Sequence, residues 1–210
     1  MKRKTLKVII FCAFLFCGMS VSPQTPIYLD KSQPIEQRIE DALSRMTLQE
    51  KINIIHAQSK FSAPGVPRLG IPELWCTDGP MGVRPEVMWD EWDQAAWTND
   101  SCMAFPALSC LAATWNPKMA SLYGKSIGEE ARFRNKSVLL GPGINVYRTP
   151  LCGRNFEYMG EDPYLISHMV VPYVQGVQSN GVSACVKHFA LNNNEINRHT
   201  SNPIVDDRTL

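Results

Sequence analysis

The chain has 210 residues, of which 44% are hydrophobic and 20% charged, and its formal net charge at pH 7 is +1. This composition is that of an ordinary globular protein able to bury a sizeable core, and it excludes a disordered or fibrous chain. A net charge so close to zero gives no reason to expect nucleic acid as a partner.

The N-terminus is typical of a secretory signal peptide. Basic residues crowd the first seven positions, an apolar run extends from Val8 to about Met19, and small and polar residues follow. The apolar run is too short to cross a bilayer as a helix, although a short membrane anchor is the alternative. We therefore expect a signal peptide over residues 1–20, a linker over 21–33, a secreted, periplasmic or extracellular protein, and no membrane association after signal removal.

The cysteines do not form the pattern of a disulfide framework. Five remain after the predicted signal, at Cys76, Cys102, Cys110, Cys152 and Cys185. Cys76 and Cys185 lie in apolar runs and are expected to be small buried residues, whereas one bridge among the other three is possible in an oxidising compartment. Because no CxxC or HExxH spacing occurs, we expect no metal site, and we expect no cofactor.

Two helices are predicted at the start of the mature chain. After Pro34, apolar residues recur at helical spacing as far as Met46. The sequence TLQE at 47–50 is a capping box, which predicts a second short helix that ends near His56.

From residue 74 onward, predicted strands, loops and helices alternate. The predicted strands are Leu74–Cys76, Val138–Leu140 and 183–186, and the predicted helices are 117–134, capped by Asn116, and 163–179, capped by Asp162. A long loop over 86–103 holds Trp89, Trp92 and Trp97. The strands are too apolar to be solvated on one face, so we expect a parallel sheet buried by helices, of the (β/α)8 type. A doubly wound sheet ranks second, because no GxGxxG follows the first strand.

Polar residues gather where these strands end, and in a (β/α)8 barrel that edge holds the active site. The candidates are Asp78 and Arg84 after the first strand, Arg154 after the second, and Lys187 and His188 after the third. One carboxylate, two guanidiniums, an ammonium and an imidazole suit the binding of a polyhydroxyl ligand. Successive strand residues point to opposite faces, so Lys187 and His188 can share one site only where the strand has already become a loop.

Plainer interpretations exist for several of these residues. Asp78 can cap the TDGP turn while Arg84 is solvated, and Glu161 can pair with Arg154 in support of it. Glu195 and Asp206 could be catalytic carboxylates of a complete small enzyme, although Asp206 more simply caps a following helix.

Three motifs together resemble a known family. TDGPMGVR, LLGPGINVYRTPLCGRNFEYMGEDPYL and VKHFALNNNEINRHT, in this order, resemble the N-terminal domain of glycoside hydrolase family 3, in the form of its bacterial β-glucosidases. The resemblance implies an incomplete (β/α)8 barrel over residues 34–210. It also implies that the sugar-binding residues are Asp78, Arg84, Arg154, Lys187 and His188, supported by Glu161, Glu195 and Arg198.

The resemblance further implies a retaining β-glycosidase, first of all a β-glucosidase, that removes terminal nonreducing sugars from small or oligosaccharide substrates. In the family, the nucleophile is an aspartate in an SDW-like motif and the acid/base comes from a second domain; no SDW motif occurs in the sequence. We therefore expect a truncated chain with the sugar-binding half of the pocket, inactive by itself. The alternatives are a β-xylosidase of the same family and a noncatalytic sugar-binding fragment.

Overall fold

The computed structural model describes residues 25–97 and 100–210. The predicted signal peptide, its cleavage site and the first residues of the predicted linker lie outside these ranges. The chain divides after Met46 into two compact units. None of the helices in the described ranges is both long and apolar enough to cross a membrane.

The first unit, over residues 25–46, contains a 3-10 turn and one helix. The turn is Ile27–Leu29, inside the segment expected to be a linker, and helix α1 is Ile35–Arg45, as the pattern after Pro34 predicted. Asp41 of α1 ties the two together, because its carboxylate accepts the Tyr28 N–H at 3.0 Å. Within the helix, Asp41 also pairs with Arg45 at 2.9 Å.

The described residues of the second unit form a four-stranded sheet and four helices. The strands are β1 (Ser62–Ala63), β2 (Leu74–Asp78), β3 (Val138–Leu140) and β4 (Ser183–Ala184). The helices are α2 (Leu48–Asn53), α3 (Leu108–Ala112), α4 (Pro117–Phe133) and α5 (Pro163–Gln178), with 3-10 turns at Pro67–Leu69 and Asn155–Glu157. The sheet order is β1-β2-β3-β4, with β2, β3 and β4 parallel and β1 antiparallel to β2.

Helices α4 and α5 pack against each other through glycines. A Cβ atom on Gly124 would lie 2.1 Å from the Tyr173 carbonyl oxygen, so only glycine permits this approach. Leu139 of β3 is fully buried in the same core as Ile127 of α4 and Val177 of α5. The Tyr173 hydroxyl donates to the Pro80 carbonyl at 2.8 Å and thereby fixes the turn after β2 against α5. The core thus holds rigidly the edge of the sheet where the polar candidates lie.

Most local predictions are confirmed. Thr47 forms the capping box, Asn116 and Asp162 cap their helices, and β3 has the predicted bounds. The parallel arrangement of β2, β3 and β4 with helices between them agrees with the predicted α/β class.

Several boundaries differ from the prediction. The sequence did not predict β1 and α3, whose two and five residues are too few to show a periodicity. Helix α2 ends at Asn53 rather than near His56, and β2 continues to Asp78 rather than ending at Cys76. Asp206 caps a turn through the Thr209 N–H at 2.9 Å, and residues 206–210 form no helix.

The five described cysteines are all free thiols, so the possible bridge among Cys102, Cys110 and Cys152 is not formed. Cys76 is half-buried, and burial raises the pKa of its thiol. The prediction that Cys185 is buried was wrong: it follows β4, the edge strand of the described sheet, and is exposed.

Candidate functional site

The ends of the parallel strands bring Asp78 and Lys187 together. Asp78 is the last residue of β2, and Gly79 turns the chain there with a φ of 112°, a left-handed conformation that glycine adopts readily. Beyond β4, the Lys187 N–H donates to the Pro142 carbonyl at 3.0 Å, so Lys187 lies beside the segment that follows β3. Because parallel strands present their carboxyl ends at one edge, two residues far apart in sequence meet there.

A chain of ion pairs runs across this edge. The Lys187 Nζ lies 2.9 Å from Asp78 Oδ1 and 3.2 Å from Glu157 Oε2. The buried Glu157 is also held bidentately by Arg154, with Nε–Oε1 at 2.8 Å and Nη2–Oε2 at 2.9 Å. One ammonium therefore sits between two carboxylates, and one guanidinium fixes the second of them.

Both carboxylates stay ionised at neutral pH. Burial acts to raise the pKa of Asp78, but the Lys187 charge and hydrogen bond, together with the Gly79 N–H, outweigh burial and lower it. Burial also acts to raise the pKa of Glu157, and the hydrogen bonds and charges of Arg154 and Lys187 lower it overall. Neither the Asp78 nor the Glu157 carboxylate is therefore protonated at neutral pH.

Glu161 was expected to pair with Arg154, and this pairing prediction was wrong. Glu161 is exposed, and the carboxylate partners of Arg154 are Glu157 and Glu195, the latter at 3.6 Å from Nη1. The 3-10 turn Asn155–Glu157 brings Glu157 back to Arg154, three residues before it. That i,i+3 spacing was the signal in the sequence that could have identified Glu157.

A second network holds His188. The Asn192 amide Nδ2 donates to Tyr158 Oη at 2.7 Å and to Glu195 Oε1 at 2.8 Å, so both of its hydrogens are used. We assign the Tyr158 hydroxyl, which accepts from Asn192, as the donor to His188 Nδ1, which lies 2.7 Å away. Arg198 pairs with the other Glu195 oxygen at 3.1 Å. With Nδ1 as acceptor, neutral His188 carries its hydrogen on Nε2 and can donate from there.

The ionisation of the two rings agrees with this arrangement. Burial, followed by the positive charges of Arg154 and Lys187, lowers the pKa of His188 to about 4. Burial raises the pKa of Tyr158 to about 12. At neutral pH both groups are uncharged and serve as directed hydrogen-bond partners. Sequence reasoning missed Tyr158 and Asn192, since nothing local distinguishes them.

Arg84 lines the same cavity as Asp78. This cavity has a volume of about 260 Å³, and its wall includes Gln94, Phe156 and Glu157. The Arg84 Cζ lies 5.3 Å from the centre of the Phe61 ring, and among the described residues its guanidinium forms no ion pair with a carboxylate. Arg154 and His188 line a second cavity of about 600 Å³, together with the three consecutive asparagines at 192–194 and Arg198. All five predicted binding residues thus lie at one edge of the sheet, whereas Glu161 is not part of their network.

The described residues offer no evident metal site: none of their groups of histidine, cysteine, aspartate and glutamate could hold a metal ion. Asp78, Glu157 and Glu195 are each bound by at least one cation. Chemically, the site can accept hydroxyl hydrogens at Asp78 and donate hydrogens from Arg84, Lys187 and His188.

A family model, that of the glycosyl hydrolase family 3 N terminal domain, matches residues 53–209. The chain belongs to this family. The family predicted from the three motifs is thereby confirmed, and so is the predicted fold class, an incomplete (β/α)8 barrel.

Similar proteins include Beta-glucosidase BoGH3A of Bacteroides ovatus, which is 66% identical over 89% of this chain and 25% of its own. Thermostable beta-glucosidase B of Acetivibrio thermocellus is 45% identical over 82% of this chain and 23% of its own. The solved structure of DesR, a beta-glucosidase from Streptomyces venezuelae in complex with D-glucose, is 39% identical with a TM-score of 0.72, over 82% of this chain and 21% of that one. This glycosyl hydrolase family 3 chain spans about a quarter of the length of the curated relatives it matches.

We expect His188 to be neutral and protonated on Nε2 at pH 6. Two-dimensional ¹H–¹⁵N spectra of the imidazole rings measure both properties, and His188→Gln assigns its signals among the four histidines. The titration midpoint should lie near 4, far below the ordinary value of about 6.5. Tyr158→Phe removes the donor to Nδ1 and should produce a mixture of tautomers. A His188 ring that is protonated at pH 6, or unaffected by Tyr158→Phe, would contradict the assignment.

The sign of the stability effect follows from the same shift. The folded-state pKa of His188 is below its unfolded value, so between about pH 6.5 and pH 4 the unfolded chain binds more protons. His188 therefore makes the folded state less stable as the pH falls through this window, and it has no such effect above it.

Proposed function

We propose that this chain carries the sugar-binding half of the active site of a retaining β-glycosidase, first of all a β-glucosidase. Its substrates are small or oligosaccharide molecules with a terminal nonreducing β-linked sugar. The observation that carries the proposal is the hydrogen bonding and the exposure of the Asp78 carboxylate. Its Oδ1 accepts from Lys187 and Gly79, whereas its Oδ2 accepts no hydrogen bond from any described residue and the side chain is 37% exposed at the cavity.

An ionised carboxylate with one free oxygen is a strong acceptor for sugar hydroxyls. The Arg84 guanidinium, without an ion pair in the described ranges, supplies donors at the same cavity. The Lys187 ammonium holds Asp78 in place from the other side. Several relatives of this chain are beta-glucosidases by name, and four similar structures contain glucose, which supports a pocket for this sugar.

The described carboxylates are suited to binding rather than to catalysis. A retaining glycosidase needs a nucleophile and a general acid whose pKa is raised. The pKa values of Asp78 and Glu157 are lowered, and Glu195 is held by Asn192, Arg198 and Arg154. The lowered pKa values exclude Asp78 and Glu157 as the general acid, and we assign these three carboxylates to binding and to holding the site together rather than to catalysis.

The test is hydrolysis by the full-length gene product of an aryl β-glucoside and, for the alternative, of an aryl β-xyloside. Faster turnover of the glucoside supports the proposal, and faster turnover of the xyloside favours a β-xylosidase. Sugar binding without turnover favours a noncatalytic sugar-binding protein. As a control, the 210-residue polypeptide alone should hydrolyse neither substrate. If that polypeptide were active and Glu195→Gln abolished its activity, Glu195 would be a catalytic carboxylate that we have overlooked.

We also propose export from the cytoplasm, on the basis of the basic and apolar N-terminal segment. Mass spectrometry of the protein purified from its native host should find a new N-terminus near residue 21. An intact Met1 in the cytoplasmic fraction would contradict this prediction.

A further inference from the structure

The cavity that holds Asp78 also contains a polar side chain that has no role in the site as described above, that of Gln94. Gln94 lies in the wall of the same cavity of about 260 Å³ as Asp78 and Arg84. It is exposed, and its side-chain amide forms no hydrogen bond with any residue in the described ranges. The amide is therefore free to bind a ligand in this cavity.

The backbone of Gln94 is fixed by a short antiparallel pairing. Gln94 forms an isolated bridge with Val87, and the next residue, Ala95, donates its N–H to the Glu86 carbonyl at 2.8 Å. Glu86 in turn pairs with Lys136 at 2.5 Å, and the Lys136 side chain is only 6% exposed. Because this pairing already orders the backbone, a ligand that binds the Gln94 amide does not have to order it.

A second buried ion pair holds the far end of the same segment. Asp100 pairs with Arg134, and their side chains are 6% and 11% exposed. The other Asp100 oxygen accepts the Glu86 N–H at 2.5 Å. Residues 86 and 100 are thus both tied to the chain that follows α4, and Gln94 lies between them.

The other polar side chains in the wall of this cavity are charged, and each offers one kind of hydrogen bond. The ionised Asp78 only accepts and Arg84 only donates, whereas both oxygens of Glu157 already accept from Arg154. The Gln94 amide is the uncharged side chain of this wall that can both accept and donate. It therefore complements a sugar hydroxyl, which also accepts and donates.

We propose that Gln94 binds the C6 hydroxyl of the terminal sugar and is a specificity-determining residue for glucose over xylose. This inference rests on the proposed function. The ring hydroxyls of glucose have fixed directions, which suits the side chains at the ends of the strands, Asp78 and Lys187. The C6 hydroxyl is carried on an exocyclic carbon that rotates and extends beyond the ring, which suits a long amide side chain from a separate segment. Xylose has no hydroxymethyl group and leaves that amide without a partner.

The experiment measures kcat/KM of the full-length gene product for an aryl β-glucoside, the corresponding 6-deoxy-β-glucoside and the β-xyloside. Gln94→Leu keeps most of the volume of the side chain and removes both of its hydrogen-bonding groups. It should lower kcat/KM for the glucoside by roughly five- to twentyfold. The other two substrates lack the C6 hydroxyl, so their kcat/KM should stay within about twofold of the wild-type values. The preference for the glucoside over the xyloside should shrink accordingly.

Gln178→Leu is the matched control. Gln178 is also exposed, ends α5 and lines neither cavity at the strand ends, so this variant should change kcat/KM for none of the three substrates. A loss for the 6-deoxyglucoside as large as that for the glucoside would overturn the inference, and so would an unchanged glucoside rate in Gln94→Leu. The wild type by itself tests the proposed function. Hydrolysis of none of the three substrates, or a higher kcat/KM for the xyloside, would overturn that function, and this inference with it, before any variant is compared.

Discussion

Asp78→Asn in the full-length gene product is expected to lower kcat/KM for an aryl β-glucoside by at least about 100-fold. In the structure, Asp78 Oδ1 accepts from the Lys187 ammonium and the Gly79 N–H. The asparagine must keep its amide oxygen toward these two donors, and its NH₂ group then faces the cavity where Oδ2 had been an acceptor. Charge-assisted hydrogen bonds contribute about 1.5–3 kcal/mol each, and about 1.4 kcal/mol is tenfold in rate. The loss of two such bonds to substrate hydroxyls accounts for the expected factor.

The control for Asp78→Asn is Asp162→Asn, which makes the same chemical change at a helix cap. The Asp162 carboxylate accepts the Tyr164 N–H at 2.9 Å, and asparagine caps a helix nearly as well. Circular dichroism should show both variants folded. If Asp78→Asn kept wild-type kcat/KM, Asp78 would be only a turn residue, and the proposed pocket would lose its main acceptor.

The sequence predicted those features that depend on neighbouring residues. Thr47, Asn116 and Asp162 were identified as caps because a cap is decided within three or four residues of chain. The predicted proximity of Asp78 and Lys187 depended on one further step, the recognition of parallel strands, whose carboxyl ends share an edge.

The residues that were missed depend on contacts across the fold. Tyr158 meets His188 and Asn192 over thirty or more positions, so no local pattern indicates that it orients the imidazole. Glu157 was not predicted, because several acidic residues near Arg154 compete as its partner until the 3-10 turn is known. Likewise, the composition of the tryptophan-rich loop over 86–103 did not predict the antiparallel bridge between Val87 and Gln94.

Glu157→Gln is expected to weaken both the fold and the site. Glu157 is 8% exposed and neutralises two cations, Arg154 and Lys187. Its replacement by a neutral amide leaves both cations without their shared counter-ion, and breaking a buried pair costs about 3–5 kcal/mol. Because the site opens on a cavity and Asp78 and Glu195 remain as partners, we expect the free energy of unfolding to fall by about 2 kcal/mol. We expect kcat/KM to fall at least about tenfold, since Lys187 and Arg154 lose their fixed positions.

Urea denaturation of wild type and Glu157→Gln at several pH values tests this assignment, with Glu161→Gln as the control. Glu161 is exposed four residues further on, so the same change of charge there should alter neither stability nor kcat/KM measurably. The pKa of Glu157 is lowered in the folded state, so its stabilisation is complete above the unfolded carboxyl value of about 4.3. The stability difference between wild type and Glu157→Gln should therefore be full at pH 7 and shrink as the pH falls below about 4. A difference that is absent at pH 7, or equal to that of Glu161→Gln, would show that Glu157 does not hold the two cations in place.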